Sequence, residues 1–341
     1  MANKNLNKAK EAKKDEFYTQ LDDINNELRH YREHFRGKTV LCNCDDPRVS
    51  NFFKYFAYNF EFLGLKKLIT TCYKNQDVNL FSEGTSEKAV YLVYEGDKNG
   101  NNIPDDDEIE VLPLKGNGDF RSPECIEFLK EADIVVTNPP FSLFREYVAQ
   151  LIKYDKKFLI IGPYNAIKYK EIFPLIKENL LWLGIGFNAG NAYFKVPEPG
   201  IYANGVYNEQ TGLVKFRNCC WYTNLDHKKR HEELILYKTY STEEYPTYAN
   251  YDAIDVSKTS EIPCDYRGKM GVPITFMDKY NPEQFEIIGI AEGDSGKELG
   301  LTPFDRKLKE LNKSLRDGQL FYMVNGYPQK PFTRIIIRRK Q

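Results

Sequence analysis

The chain has 341 residues, a length for about two domains of ~150 residues each, with ample material for a buried core. Its 41% hydrophobic and 28% charged residues are those of an ordinary globular protein, and 48 Lys and Arg against 49 Asp and Glu leave a formal charge of −1. That balance excludes a small histone-like or ribosomal basic protein but not a local basic face, and no run approaches the roughly 20 apolar residues of a membrane span.

In chain order, the first lysines (Lys4, Lys8, Lys10, Lys13 and Lys14) have no apolar core behind them, so no signal peptide is expected. Residues 1–36 read as a polar helical lead-in, with Leu21, Ile24, Leu28 and Tyr31 at helical spacing. A strand is predicted at Thr39–Cys42, an aromatic-rich buried helix at Asn51–Leu63 and a second strand at Leu65–Thr71. A third strand, Tyr91–Tyr94, runs into Glu95–Glu110, whose seven carboxylates and one Lys read as a solvated, mobile connection. Strands at Ile109–Leu114, Asp133–Thr137 and Lys157–Ile161 then alternate with helices at Pro123–Glu131 and Phe144–Tyr154. Such alternation over residues 38–185 implies parallel βαβ units in a doubly wound α/β sheet.

Past about residue 186 the helical pattern fades, and Tyr-, Phe- and Val-rich runs are broken by Gly, Pro and Asn, so 186–341 reads as a smaller, mostly β region. Its last part, 301–341, holds ten Lys and Arg against three Asp and Glu, a local excess of +7. The seven cysteines are an odd set with Cys42/Cys44 and Cys219/Cys220 too close for a small disulfide framework, so reduced thiols in the cytoplasm are expected. Two histidine pairs, His30/His34 and His227/His231, read as surface residues on polar helices, and no Cys-x-x-Cys is present, so no metal is expected.

The residues richest in chemistry are Asp133-Ile-Val-Val-Thr-Asn-Pro-Pro-Phe141, an apolar strand running into Asn138-Pro139-Pro140-Phe141. In an open α/β sheet, ligands collect at the carboxyl ends of strands, where this turn falls. The Asn138 carboxamide and the Pro139 carbonyl offer two acceptors to one planar amino group, and neither proline has an N–H to interfere. Two acceptors facing an NH₂ favour a pyramidal nitrogen with its lone pair free to attack, and Phe141 is placed to stack on the base.

With that turn the chain resembles the S-adenosylmethionine-dependent amino-methyltransferases, whose catalytic tetrad is Asp/Asn/Ser-Pro-Pro-aromatic. Gly116-Asn-Gly-Asp-Phe-Arg-Ser-Pro123 lies where these enzymes hold the cofactor's adenine, which gives Asp119 the N6 amino group and Phe120 the ring. Lys14-Asp-Glu-Phe-Tyr-Thr-Gln20 resembles their N-terminal cofactor motif, which assigns Phe17, Tyr18 and Thr19. The loop after the first strand has no glycine between Gly37 and Gly64; Asn43, Asp45 and Asp46 stand there, toward the cofactor's methionine end. No acid follows the second strand in Leu68-Ile-Thr-Thr-Cys-Tyr73, so a ribose contact is left open.

These segments, together with the GVPITFMDKYNPEQFEIIG run, look like the EcoRI-type adenine-specific DNA methyltransferase family from about Lys13 to Gly289. The resemblance implies a Rossmann-like methyltransferase sheet and direct methyl transfer from S-adenosylmethionine to N6 of a flipped adenine in a specific double-stranded DNA sequence. It implies three regions: a helical segment with the cofactor motif at 1–36, the catalytic domain at 37–185 and target recognition at 186–341. Lys228, Lys229, Arg230, Arg334, Arg338 and Arg339 are the expected phosphate contacts. A restriction endonuclease acting on the same site, without a stable complex, would accompany the enzyme unless it is solitary. Cytosine N4, an RNA base or a protein glutamine amide also suit the tetrad, as does a silent nucleic-acid-binding homologue.

Overall fold

The computed structural model describes residues 18–44, 50–72, 89–101, 104–105, 107–187, 191–196 and 205–340, so the predicted cofactor residues Phe17, Asp45 and Asp46 lie outside the described residues. The chain forms two compact units: Met1–Tyr164 with Trp182–His227, and Asn165–Leu181 with Lys228–Gln341.

The first unit contains strands β1 (Tyr18–Thr19), β2 (Thr39–Asn43), β3 (Lys67–Thr71), β4 (Val90–Tyr94), β5 (Glu110–Pro113), β6 (Ile134–Thr137), β7 (Lys157–Pro163), β8 (Trp182–Leu183), β9 (Asn191–Lys195), β10 (Tyr207–Asn208), β11 (Leu213–Arg217) and β12 (Cys219–Thr223). Among its helices are α1 (Leu21–Leu28), α2 (Asn51–Tyr58), α3 (Pro123–Glu131) and α4 (Phe144–Lys153). The large sheet has the order β5-β4-β3-β2-β6-β7-β12-β8. Its centre, β3-β2-β6-β7, is parallel, whereas β4, β5 and β12 run antiparallel to their neighbours. The molecule is thus a mixed α/β protein with a large mixed sheet, built where apolar, β-branched runs such as Ile134-Val-Val-Thr137 are buried on both faces.

Local chemistry sets the helix boundaries. Ser50 accepts from the amides of Phe52 and Phe53 at the start of α2, and Ser122 accepts from Cys125 N with Pro123 in the first turn of α3. The helix expected over 51–63 breaks at Asn59, whose side chain donates to the Tyr55 carbonyl at 2.7 Å; a short second helix ends at Gly64, φ +62°. Among the described residues the helical lead-in begins at Leu21, because Tyr18 and Thr19 are extended and pair with Lys195 and Phe194 of β9. They form the edge of a smaller antiparallel sheet, β1-β9-β11-β10. The division expected near 186 is displaced: β12, fully buried, pairs with β7 and draws the chain up to His227 into the first unit.

A buried carboxylate fastens α1. Glu27, 1% exposed, accepts from the amides of Ile185 (2.9 Å) and Gly186 and from the Tyr31 hydroxyl (2.8 Å). A side chain on Gly184 would collide with Glu27 and Trp221, so this approach needs glycine there.

The second unit holds the sheet β13-β14-β18-β15, formed by Ile254–Asp255 (β13), Met270–Pro273 (β14), Phe285–Ala291 (β15) and Arg334–Arg339 (β18). A two-stranded ribbon, Tyr322–Val324 (β16) with Tyr327–Gln329 (β17), accompanies it. Among the described residues no helix is long and apolar enough to cross a membrane.

Replacing Glu27 by Gln, which keeps the shape but faces backbone donors with an amide, is expected to cost about 2 kcal/mol of unfolding free energy. Urea unfolding of both proteins measures it, and an unchanged midpoint would remove Glu27 from this role.

Candidate active site

The parallel strands diverge at one place. From β2 the chain moves outward to β3, and from β6 it moves the opposite way to β7, while β2 and β6 are neighbours. Their carboxyl ends flank the crevice that such a reversal leaves. Asn43 ends β2; Thr137 ends β6 and is followed by Asn138-Pro139-Pro140-Phe141.

Side chains tie the two ends together. The Thr137 hydroxyl donates to the Asn43 carbonyl, and the Tyr147 hydroxyl, from α4, donates to the Asn43 side-chain oxygen. Burial first, then the neighbouring Cys44, pushes the Tyr147 phenol well above its usual range, so it remains a neutral donor. The Tyr147 ring meets Phe120 edge-on at 5.0 Å, and Gln150, one turn along α4, donates to the Phe120 carbonyl at 2.9 Å. The helix predicted at Phe144–Tyr154 therefore contacts both the Asn43 and the Phe120 segments. Cys44, directly after β2, has φ +99°, a conformation that L side chains rarely adopt.

The predicted residues fall as follows. Asn138 is buried, and Phe141 opens a single 3₁₀ turn, half-buried and edge-on to Phe216 of β11 at 5.8 Å. Phe216 in turn meets Phe194 of β9 at 5.5 Å, and Phe194 pairs in register with Thr19. The small sheet thus connects Phe141 with Tyr18 and Thr19. Asn51, at the start of α2, donates to the Thr19 carbonyl at 2.7 Å and sets β1 beside the helix that follows β2.

Asp119 and Phe120 are both engaged by Arg121. The guanidinium donates to Asp119 from Nε (2.9 Å) and Nη2 (2.7 Å), lies 5.2 Å from the Phe120 ring centre and reaches Glu146 from Nη1 (2.8 Å). The Arg121 hydrogen bonds hold the Asp119 carboxyl below its usual range, against the opposing effect of burial.

The basic residues predicted for phosphate are less uniform. Lys228, Lys229 and Arg230 lie on a short 3₁₀ turn of the second unit, with Lys228 exposed and Arg230 donating to Asn179 at 2.8 Å. Arg334 is buried and paired with Asp255 at 2.8 Å, where Tyr248 also donates to that carboxylate. Arg338 pairs with Glu286 at 2.7 Å, and Arg339 donates to the Cys264 carbonyl. Two of the C-terminal charges, Arg334 and Arg338, are thus ion-paired to residues of other strands in the same sheet.

The histidines also differ from expectation. His227 is buried, with Nε2 at 2.9 Å from the Leu183 carbonyl. His30-Tyr-Arg-Glu33-His34 has the spacing of an inverted zinc-protease helix, but only Arg32–Phe35 is helical and His34 Nε2 bonds the Asp226 carbonyl at 2.9 Å. Among the described residues no group of three His, Cys, Asp or Glu is arranged to hold a metal.

The crevice suits a nucleoside with a charged tail. The Thr19 hydroxyl is buried with no hydrogen-bond partner among the described residues, a donor that a bound polar group would satisfy. Asn43 and Asn138 bring amides to adjoining strand ends, and Asp119 supplies an ionised acceptor beside an aromatic ring.

A family model described as "Adenine-specific methyltransferase EcoRI" matches residues 5–340. The chain is 54% identical over 322 residues to the type II methyltransferase M.EcoRI of Escherichia coli, covering 91% of this chain and 98% of that protein. It is 39% identical over 342 residues to the type II methyltransferase M.MgeORF184P of Mycoplasma genitalium, covering 98% and 99% of the two chains. Identity to the type II methyltransferase M.MpnI of Mycoplasma pneumoniae is 41% over 290 residues, 83% of this chain and 84% of that one. No solved structure matches the chain.

Stability contributed by the Asp119–Arg121 pair is present above the ordinary carboxyl value of 3.8 and is lost as pH falls through the lower folded value. Unfolding midpoints of wild type and Asp119→Asn, followed from neutral pH to below 3.8, should therefore converge on acidification. A gap independent of pH would show that the carboxylate's charge contributes nothing there.

Proposed function

Because the chain belongs to the EcoRI adenine-specific methyltransferase family, we propose that its Asn138-Pro139-Pro140-Phe141 turn is where the target amino group receives its methyl. The protein is an adenine-specific DNA methyltransferase, and S-adenosylmethionine is its methyl donor. The observation that carries the site assignment is the position of this turn: directly after β6, at the strand reversal, beside Asn43.

In this reading the cofactor, when bound, supplies a methyl group on a sulfonium. Tyr18, Thr19 and Asn43 hold it from the β1–β2 side, with Phe17, Asp45 and Asp46 from their own segments, and Asp119 and Phe120 take its adenine ring. Arg121 keeps the Asp119 carboxylate ionised and oriented. The substrate adenine leaves the helix stack, at a cost of a few kcal/mol, and part of that is recovered by stacking on Phe141. The Asn138 side-chain oxygen and the Pro139 carbonyl accept the two N6 hydrogens, which directs the nitrogen lone pair along the line of attack. Once the nitrogen carries the methyl its proton is acidic and passes to water, so no strong base is needed. Cys264, the cysteine that follows a proline, belongs to the second unit, whereas this turn belongs to the first.

The finer architecture belongs to the same proposal: the central parallel strands form a doubly wound, Rossmann-like cofactor sheet, and residues beyond 186 read the target. Of the basic residues, Lys228 and Lys229, with Arg230, are the phosphate contacts this reading retains, while Arg334 serves the core of its sheet. The enzyme acts in the cytoplasm, alongside a restriction endonuclease directed to the same sequence.

The Asn138→Ala variant should lose methyl transfer by about 100-fold or more, the scale of removing one transition-state hydrogen bond, while keeping S-adenosylmethionine binding. Tritiated methyl incorporation and calorimetric cofactor titration separate the two, and lost cofactor binding would move Asn138 out of the transfer role. Phe141→Ala should weaken use of DNA about tenfold, a stacking energy of ~1.4 kcal/mol. Base-resolution sequencing of the methylated product identifies both the site and the modified atom; cytosine as the modified base would overturn the reading.

A further inference from the structure

The acidic connection between β4 and β5 is not a merely solvated loop. It reads Asp97-Lys-Asn99-Gly-Asn101-Asn-Ile-Pro-Asp105-Asp-Asp-Glu108, with oxygen-bearing side chains at positions 1, 3, 5, 9 and 12. That is the ligand spacing of a calcium loop, with Asn102 where the pattern usually has glycine.

The structure draws these residues inward. The Asn99 and Asn101 side chains both point their amides at Asp105 Oδ2, at 2.7 and 2.9 Å, and Asp97 Oδ1 accepts from Gly100 N at 2.7 Å. Glu108 is only 7% exposed, and its Oε1 accepts from the amides of Lys98 (2.6 Å) and Asn99 (3.1 Å) inside the loop. Its Oε2 is buried with no hydrogen-bond partner among the described residues. A carboxylate oxygen shielded from water without a donor is costly, and a cation is the partner that removes the cost. The Tyr94 phenol, at the foot of the loop, is pushed up to about 12 by burial first and then by Glu108, Asp97, Glu61 and Asp105, so these four carboxylates act on one point.

We propose that this loop binds a calcium-type divalent cation through Asp97, Asn99, Asn101, Asp105 and Glu108. The oxygen-only ligand set, mixing amides and carboxylates, suits a large, tolerant ion better than magnesium, which demands a tight octahedron and keeps its waters. No three of the described His, Cys, Asp and Glu residues are already arranged around an ion. Binding therefore requires the Asp97, Asp105 and Glu108 carboxylates to draw together around the ion, and the Asn99 and Asn101 amides to turn their oxygens from Asp105 toward it. The bound ion would fasten the β4–β5 ribbon at the edge of the large sheet, remote in sequence from the methyl-transfer turn.

The test uses full-length protein stripped with a chelator, titrated with CaCl₂ and separately with MgCl₂ by calorimetry, with Tm recorded in each. Terbium luminescence excited through tyrosine gives a second readout near Tyr94. One calcium per chain, a raised Tm and sensitised terbium emission are expected. Glu108→Gln and Asp97→Asn should each bind about tenfold more weakly or worse, since affinity follows the ligand charge count, with methyl transfer retained. Should Glu108→Gln fail to fold, Asp105→Asn carries the same expectation. The absence of heat and Tm change at millimolar calcium, equal binding by the variants, or an equal response to magnesium would each overturn the proposal.

Discussion

Everything in the first unit depends on how the ends of β2 and β6 are held side by side. Two parallel strands whose chains leave in opposite directions have no connection of their own across the gap between their carboxyl ends. The Thr137 hydroxyl bonding the Asn43 carbonyl closes the base of that gap, and Tyr147 reaches the Asn43 side chain from α4. Because Asn138 is the next residue after Thr137, the bond that joins the strands also sets where the Asn-Pro-Pro-Phe turn begins. The strand tie and the proposed transfer turn are thus joined directly along the chain.

From that tie the remaining parts of the site are placed by aromatic packing rather than by polar contacts. Tyr147 carries Phe120 and, through the Phe120 backbone, the segment with Asp119. On the other side, Phe141 leans on Phe216, Phe216 on Phe194, and Phe194 lies opposite Thr19. The aromatic residues, 14% of the chain, are therefore partly a scaffold: edge-to-face rings hold segments that lie tens of residues apart in sequence, each pair adding roughly 0.5–1.5 kcal/mol beyond area burial.

The strands of the central sheet were legible because each is a short apolar, β-branched run bounded by polar turns, and burial on both faces demands that pattern. The Asn138–Phe141 turn stood out in the sequence because two successive prolines close an apolar strand, and the structure puts it directly after β6. What escaped was long-range. Nothing local marks Cys219-Cys-Trp-Tyr-Thr223 as a partner of β7 rather than part of a separate module, and only the sheet register reveals it. The same holds for Thr137, Tyr147, Arg121 and Phe216, ordinary residues whose roles come from what the fold brings against them. The C-terminal arginines differ among themselves in a way that no local pattern marks: Arg334 is buried and meets Asp255, whereas Arg338 is exposed and pairs with Glu286.

Charge balance acquires meaning only when burial is added to sequence position. The loop at 95–110 and the segment at 301–341 carry opposite net charges that cancel in the total. Their physical states differ more than their signs. In the second unit the ion pairs Arg334–Asp255 and Arg338–Glu286 consume much of the positive excess, leaving exposed lysines to meet any phosphate. Among the described residues of the β4–β5 loop no comparable cation is supplied to Glu108, and Lys98 instead turns its ammonium to Glu95 at 3.7 Å. The buried Arg334 is thus paired with a carboxylate, whereas the buried Glu108 Oε2 has no hydrogen-bond partner among the described residues, and the spacing of the oxygens around it is that of a cation loop.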